Sequence, residues 1–214
     1  MKKTALGVLA LAGTLALQFA GAGPSTAAER RVITKTVVRG EVLTAEFDHT
    51  DGCIQTRVSV FGGVITVRGT TTPDKIGFVA VTQVNTCTQT TLIDGDGETS
   101  ALNLVVPNGL AKGQLKMSLE FTNYADPANP VVSPMTADVS FRATDRATKT
   151  FAKTKFVSEG IRFVSSAETK SRAGTATGTV TIGAQSVVSP AIPAYEAMLA
   201  WANSKEKSVD RRAT

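Results

Sequence analysis

The chain has 214 residues, 42% of them apolar, and a formal net charge of +5, two units of which belong to Lys2 and Lys3. That length holds one domain with a hydrophobic core behind a short leader and falls short of two domains of ordinary size. So weak a charge, with only 6% aromatic residues, argues against a nucleic-acid-binding chain, in which clustered bases are interleaved with aromatic rings.

Met1, Lys2 and Lys3 precede an uncharged run at 5–22 rich in Leu and Ala. Its strongly apolar part, 6–17, is too short to cross a hydrocarbon core of about 30 Å, and small-residue sites follow at Ala20-Gly21-Ala22 and Thr26-Ala27-Ala28. The pattern is that of a signal peptide over 1–28. Cleavage after Ala28 is preferred because Glu29-Arg30-Arg31 then opens a charged mature terminus. No later stretch has transmembrane length, so the mature chain is expected to be secreted or periplasmic, with no membrane anchor.

Cys53 and Cys87 are the only cysteines. In an exported chain such a pair reads as a disulfide. A redox or metal role is disfavoured, since no Cys-x-x-Cys occurs and His49 is the single histidine.

From residue 32 to 182 the signals are those of strands. The segments 32–38 and 42–47 are separated by Arg39-Gly40-Glu41, read as a turn; 53–61 and 64–68 flank Gly62-Gly63, read as a tight hairpin. Segments 76–87 and 88–93 follow. The clearest alternation sets Leu115, Met117, Leu119 and Phe121 against Lys116, Ser118, Glu120 and Thr122, and Ala137, Val139 and Phe141 repeat it. Between these two lies 123–134, with Pro127, Pro130 and Pro134, read as a long loop. Segments 148–157, 160–166 and 175–182 complete eight to eleven strands. After Pro193, Ala194, Ala197, Met198, Trp201 and Ala202 fall at helical spacing, although Tyr195, Ala197, Leu199 and Trp201 also alternate; a short helix is preferred. The residues 205–214 read as a charged flexible tail.

The predicted fold is therefore all-β: a two-sheet antiparallel β-sandwich over 29–204, immunoglobulin-like or jelly-roll-like in outline, with a β-barrel as the alternative. Cys53 and Cys87 stand closer together than the immunoglobulin pair and no Trp lies between them, so no family is assigned.

Candidate chemistry is sparse. Asp94, Asp96 and Glu98 alternate with Gly95 and Gly97 and form the stretch most like a metal loop, yet Thr99 and Val105 stand where a calcium-binding helix–loop–helix needs Gly and Glu, so a surface turn is the preferred reading. Asp48 and Asp51 flank His49, but no Gly-x-Ser-x-Gly accompanies them, and this too reads as a polar turn. No phosphate loop or His-Glu-x-x-His occurs, and no cofactor is expected. Tyr124, Tyr195 and Trp201, the whole complement of Tyr and Trp, give thin support to glycan binding.

Charge is unevenly spread: 41–98 holds eight acids against three bases, and 142–172 holds eight bases against three acids. The basic segment is read as the solvent faces of two strands, with polyanion binding as the functional alternative. Together these features predict a non-catalytic exported interaction or binding domain of a bacterial envelope or secretome, its partners being envelope proteins or surface polysaccharide. A secreted hydrolase using surface-turn carboxylates and a carbohydrate-binding module are the alternatives.

Overall fold

A computed structural model describes residues 33–158 and 161–210. The expected signal peptide, the Glu29 terminus and residues 211–214 lie outside them. Eleven strands follow one another: β1 (Ile33–Asp51), β2 (Ile54–Val67), β3 (Asp74–Asn85), β4 (Thr90–Thr99), β5 (Leu102–Val105), β6 (Lys112–Asn123), β7 (Val131–Ala143), β8 (Thr148–Ser158), β9 (Ile161–Ile182), β10 (Gln185–Val188) and β11 (Glu196–Asp210).

All pairings are antiparallel, as the alternating pattern demands, and all strands belong to one sheet. Eight of them pair in a closed circuit, β1-β2-β3-β4-β6-β7-β9-β11 and back to β1, while β5, β8 and β10 hang from β6 and β9. The all-β expectation holds, and the sheet fits a sandwich or barrel-like fold, the circuit being its barrel-like aspect. One set of alternating side chains fills the interior: Leu43, Ala45 and Phe47 from β1, Val58 and Val60 from β2, Val79 and Val81 from β3, Leu115 and Phe121 from β6, Val139 from β7, Leu199 from β11.

Several local readings are corrected. Arg39-Gly40-Glu41 does not turn, because β1 runs through it and pairs with β2 and β11 on its two sides. Gly62-Gly63 lies inside β2; a Cβ on Gly62 would come 2.4 Å from Leu115 Cδ1, so the missing side chain admits Leu115 to the core. Pro134 belongs to β7, opposite Glu120, at a level where β9 has ended; its carbonyl accepts from Gly183 N at 2.7 Å, and its absent N–H interrupts no ladder. The expected C-terminal helix is a strand, since β11 fills the gap between β1 and β9 and makes ladder bonds on both edges. The first six residues of the expected tail, 205–210, belong to that strand, so the folded domain reaches past 204.

The predicted disulfide forms. Cys53 sits in the β1–β2 turn, Cys87 in the β3–β4 turn, and their Cα atoms are 5.5 Å apart. Thr86 donates to Cys53 O through both its backbone N, at 2.7 Å, and its hydroxyl, at 3.0 Å. Two hairpins are thus pinned at one end of the ring. Toward the other end, the β5–β6 loop carries the wholly buried Leu110, whose φ of +53° is tolerated because its side chain is packed in the core. Arg172 donates to Gly109 O at 3.3 Å, and Arg39 to Asn108 Oδ1 at 3.4 Å, holding that loop in place.

Beyond the ring a wing of sheet continues. Among the described residues, 33–36 of β1 extend past β2 and pair with β11 alone, β11 pairs with the first half of β9, and β9 with β8. Among the described residues β8 pairs with β9 alone, so it is an edge strand, and from residue 148 to 157 every side chain is exposed.

Candidate functional site

The wall formed by the outer faces of β1 to β4 is acidic. Strand alternation sends Glu46 and Asp48 outward from β1, and Asp94, Asp96 and Glu98 outward from β4. The segment 94–98 is therefore strand where a turn was expected. Gly95 and Gly97 are required there because a Cβ on either would lie 2.0 Å from Thr122 O or 2.2 Å from Glu120 O of the neighbouring β6. Successive carboxylates on one strand face are about 6.6 Å apart and point in parallel. No group of three or more His, Cys, Asp or Glu placed to hold a metal ion occurs among the described residues.

Asp48 and His49 are likewise separated by the pleat. Asp48 faces outward and pairs with Arg57 at 3.0 Å, whereas His49 follows the interior register of Phe47, its Nδ1 buried without a hydrogen-bond partner. Neighbours on a strand point to opposite faces, so a relay between them is not assembled. At the edge of this wall Tyr195 donates from its hydroxyl to Glu46 Oε2 at 2.6 Å, and its backbone N donates to Glu46 O at 2.9 Å. That bond, with partial desolvation and the surrounding charges of Glu46, Glu196 and Asp48, pushes the phenol up to about 12. Tyr124, which is exposed, is tied by its backbone N to Asp94 O on β4, so β1 to β4 stand between the two tyrosines. Trp201 packs against the core and joins neither.

A depression of about 600 Å³ beside β5 is lined by Lys75, Lys116, Ser118, Thr136 and Asp138, among others. Lys116 pairs with Asp138 at 2.8 Å and Lys75 Nζ donates to Leu102 O at 3.0 Å, so its charges are already engaged.

The wing is the opposite of the acidic wall. On the face that continues the interior register, β8 presents Lys149, Phe151, Lys153, Lys155 and Val157. Across β9 they meet Lys170, Glu168, Ser166, Val164 and Arg162, and across β11 Trp201, Asn203, Lys205, Lys207 and Val209. Strand β1 adds Lys35, Val37, Arg39 and Glu41. Among the described residues this face carries nine cationic side chains and two carboxylates, and each carboxylate is taken: Glu41 by Arg39 at 2.7 Å, Glu168 by Lys149 at 2.9 Å. The reverse face of β8 and β9 is uncharged, built of Ser, Thr and Ala around Phe156 and Phe163, whose rings stack 4.7 Å apart.

Of the basic stretch foreseen at 142–172, Lys149, Lys153 and Lys155 of β8 are exposed, whereas Arg162, Lys170 and Arg172 of β9 are half-buried. What sequence reasoning missed is that Lys35, Arg39, Lys205 and Lys207 join it. The only local signal was the i, i+2 spacing of Lys153 with Lys155 and of Lys205 with Lys207, the latter in a segment read as tail.

The fold and surface define a disulfide-bonded, all-β antiparallel domain with segregated charge. No family model matches the chain, and no curated protein matches it. Among solved structures it is similar to an "Enduracididine biosynthesis enzyme MppR complexed with the condensation product of pyruvate and imidazole 4-carboxaldehyde", with 7% identity over 83% of this chain and 87% of that one and a TM-score of 0.25, a likeness too slight to carry an argument.

Proposed function

We propose that this chain is a non-catalytic, exported interaction domain of a bacterial envelope or secretome, working through surface contact. The observation that carries the reading is the wing, a sheet that leaves the ring with edge strand β8 exposed on both faces and with Phe151 and Val157 each 67% exposed. Apolar side chains so placed cost solubility unless something covers them. The carboxylates that a hydrolase would use lie spread along the outer wall, with Arg57 of β2 and Thr82 of β3 standing between Asp48 and Asp94, an arrangement that supports contact over catalysis. The disulfide is compatible with an oxidising, exported environment.

Mild crosslinking of the tagged chain in periplasmic and culture fractions, followed by native-mass determination, tests this. A stoichiometric protein, glycan or lipid companion, or a homo-oligomer, is the expected result. A bare monomer free of all of these overturns the reading.

A further inference from the structure

We propose that the basic face of the wing is a docking surface for an anionic lipid membrane, with Phe151 and Val157 of β8 entering the acyl boundary and Lys153, Lys155, Lys205 and Lys207 meeting phosphate headgroups. The inference rests on the interaction reading above and names the partner.

Three observations converge on it. The first is charge complementarity: Lys155 and Lys207 lie in one cross-sheet row on either side of Val164, and Lys153 and Lys205 in the next on either side of Ser166. The four ammonium groups thus stem from the corners of a patch about 6.6 Å by about 9.6 Å whose centre is uncharged. Such an array suits several separate phosphates better than one chelated anion, and lysines act as point charges toward phosphate.

The second is like-charge repulsion. Lys207 stands directly opposite Lys35 in the β1–β11 ladder, an arrangement that weakens a sheet. A layer of phosphates relieves it; water relieves it only in part.

The third is the apolar interleaving. Phe151 and Val157 share the lysine face of the edge strand and are two-thirds exposed. A soluble polyanion gives them no apolar environment, whereas an anionic bilayer offers phosphate at the lysines and acyl chains beside them. Pairing of β8 with a second copy is disfavoured by the same lysines, since it would bring two sets of Lys149, Lys153 and Lys155 into one ribbon, the device by which edge strands resist self-association.

The test is co-sedimentation of the full chain with vesicles of phosphatidylcholine alone and of phosphatidylcholine with an equal part of phosphatidylglycerol, at low and physiological salt. Binding is expected to the anionic vesicles and to weaken with salt; a leader, where retained, brings Lys2 and Lys3 with its apolar run and is controlled by the variants below, which keep it unchanged. Lys153→Gln with Lys155→Gln is expected to weaken binding roughly 25-fold, at about fivefold for each lysine near the surface. Phe151→Ser with Val157→Ser is expected to weaken it roughly tenfold. All four side chains are exposed, so circular dichroism should match the native chain, and Asp94→Asn serves as the control that leaves partition unchanged.

Equal partition into both vesicles, or lysine variants that bind like the native chain, would overturn the proposal. So would heparin binding that survives Phe151→Ser with Val157→Ser while no chain enters anionic vesicles, which makes the partner a soluble polyanion. A protein companion in the crosslinking experiment without vesicle binding would sink the lipid assignment and leave the interaction reading standing; a bare monomer without vesicle binding would sink both.

Discussion

Tyr195 and Glu46 are joined twice, hydroxyl to carboxylate at 2.6 Å and backbone to backbone at 2.9 Å, and this pair fastens the start of β11 to β1. Because the hydrogen bond favours the protonated phenol, Tyr195 should ionise near 12, measured as the ultraviolet difference titration between the native chain and Tyr195→Phe. Glu46→Gln should bring the value back toward that of free tyrosine. The folded-state value is raised, so the stabilisation is fully present below the unfolded phenol's pKa of about 10 and is lost as pH climbs through the folded value. A Tyr195 signal that titrates near 10 in the native chain would remove the bond from the account.

The join between β4 and β6 is short, with Gly95 paired to Asn123 and Asp96 to Thr122, and the glycines let the two backbones approach. Gly95→Ala should therefore lower unfolding free energy by about 3 kcal/mol, the upper end of what overpacking costs. Asp96→Ala, exposed on the outer wall, should stay within about 0.5 kcal/mol. Urea unfolding of the two variants decides, and equal midpoints would mean that the seam yields without strain.

How far the sequence could be read follows from which residues carried their own answer. Leu115 to Phe121 announced a half-buried strand because alternation is a local property. The pair Gly62-Gly63 and the series Asp94 to Glu98 were read as turns because glycine signals turn chemistry in isolation. Here Leu115 and the β6 backbone, distant in sequence, are the reason for those glycines. Residues 194–204 fitted two periods at once, and the choice was made by the open edges of β1 and β9. The basic face was the least legible, since it assembles four separated segments whose register no single segment encodes.

The bond between Cys53 and Cys87 crosses from the β1–β2 turn to the β3–β4 turn, with a sequence separation of 34. Replacing both by alanine should cost about 3–4 kcal/mol on the chain-entropy account. Because the turns also share the two Thr86 bonds to Cys53 O, the fold should survive. The check is a urea midpoint lowered without loss of the β-type circular dichroism spectrum. A variant that fails to fold would show that the staple is needed to close the ring.

Glu206 sits between Thr36 and Ser165 on the reverse face of the wing, away from the lysines, and partial burial raises its carboxyl above the ordinary glutamate value. A raised carboxyl means that the folded chain holds the proton more tightly than the unfolded one, so stability falls as pH rises from about 4.3 through the folded value. Glu206→Gln has no such step. The variant should be more stable than the native chain at neutral pH, and the gap should close once the medium is acidic enough to protonate glutamate in both states. Thermal unfolding of the two chains across that range decides it, and a gap that does not change with pH would mean that desolvation of this carboxylate is not what the native wing carries.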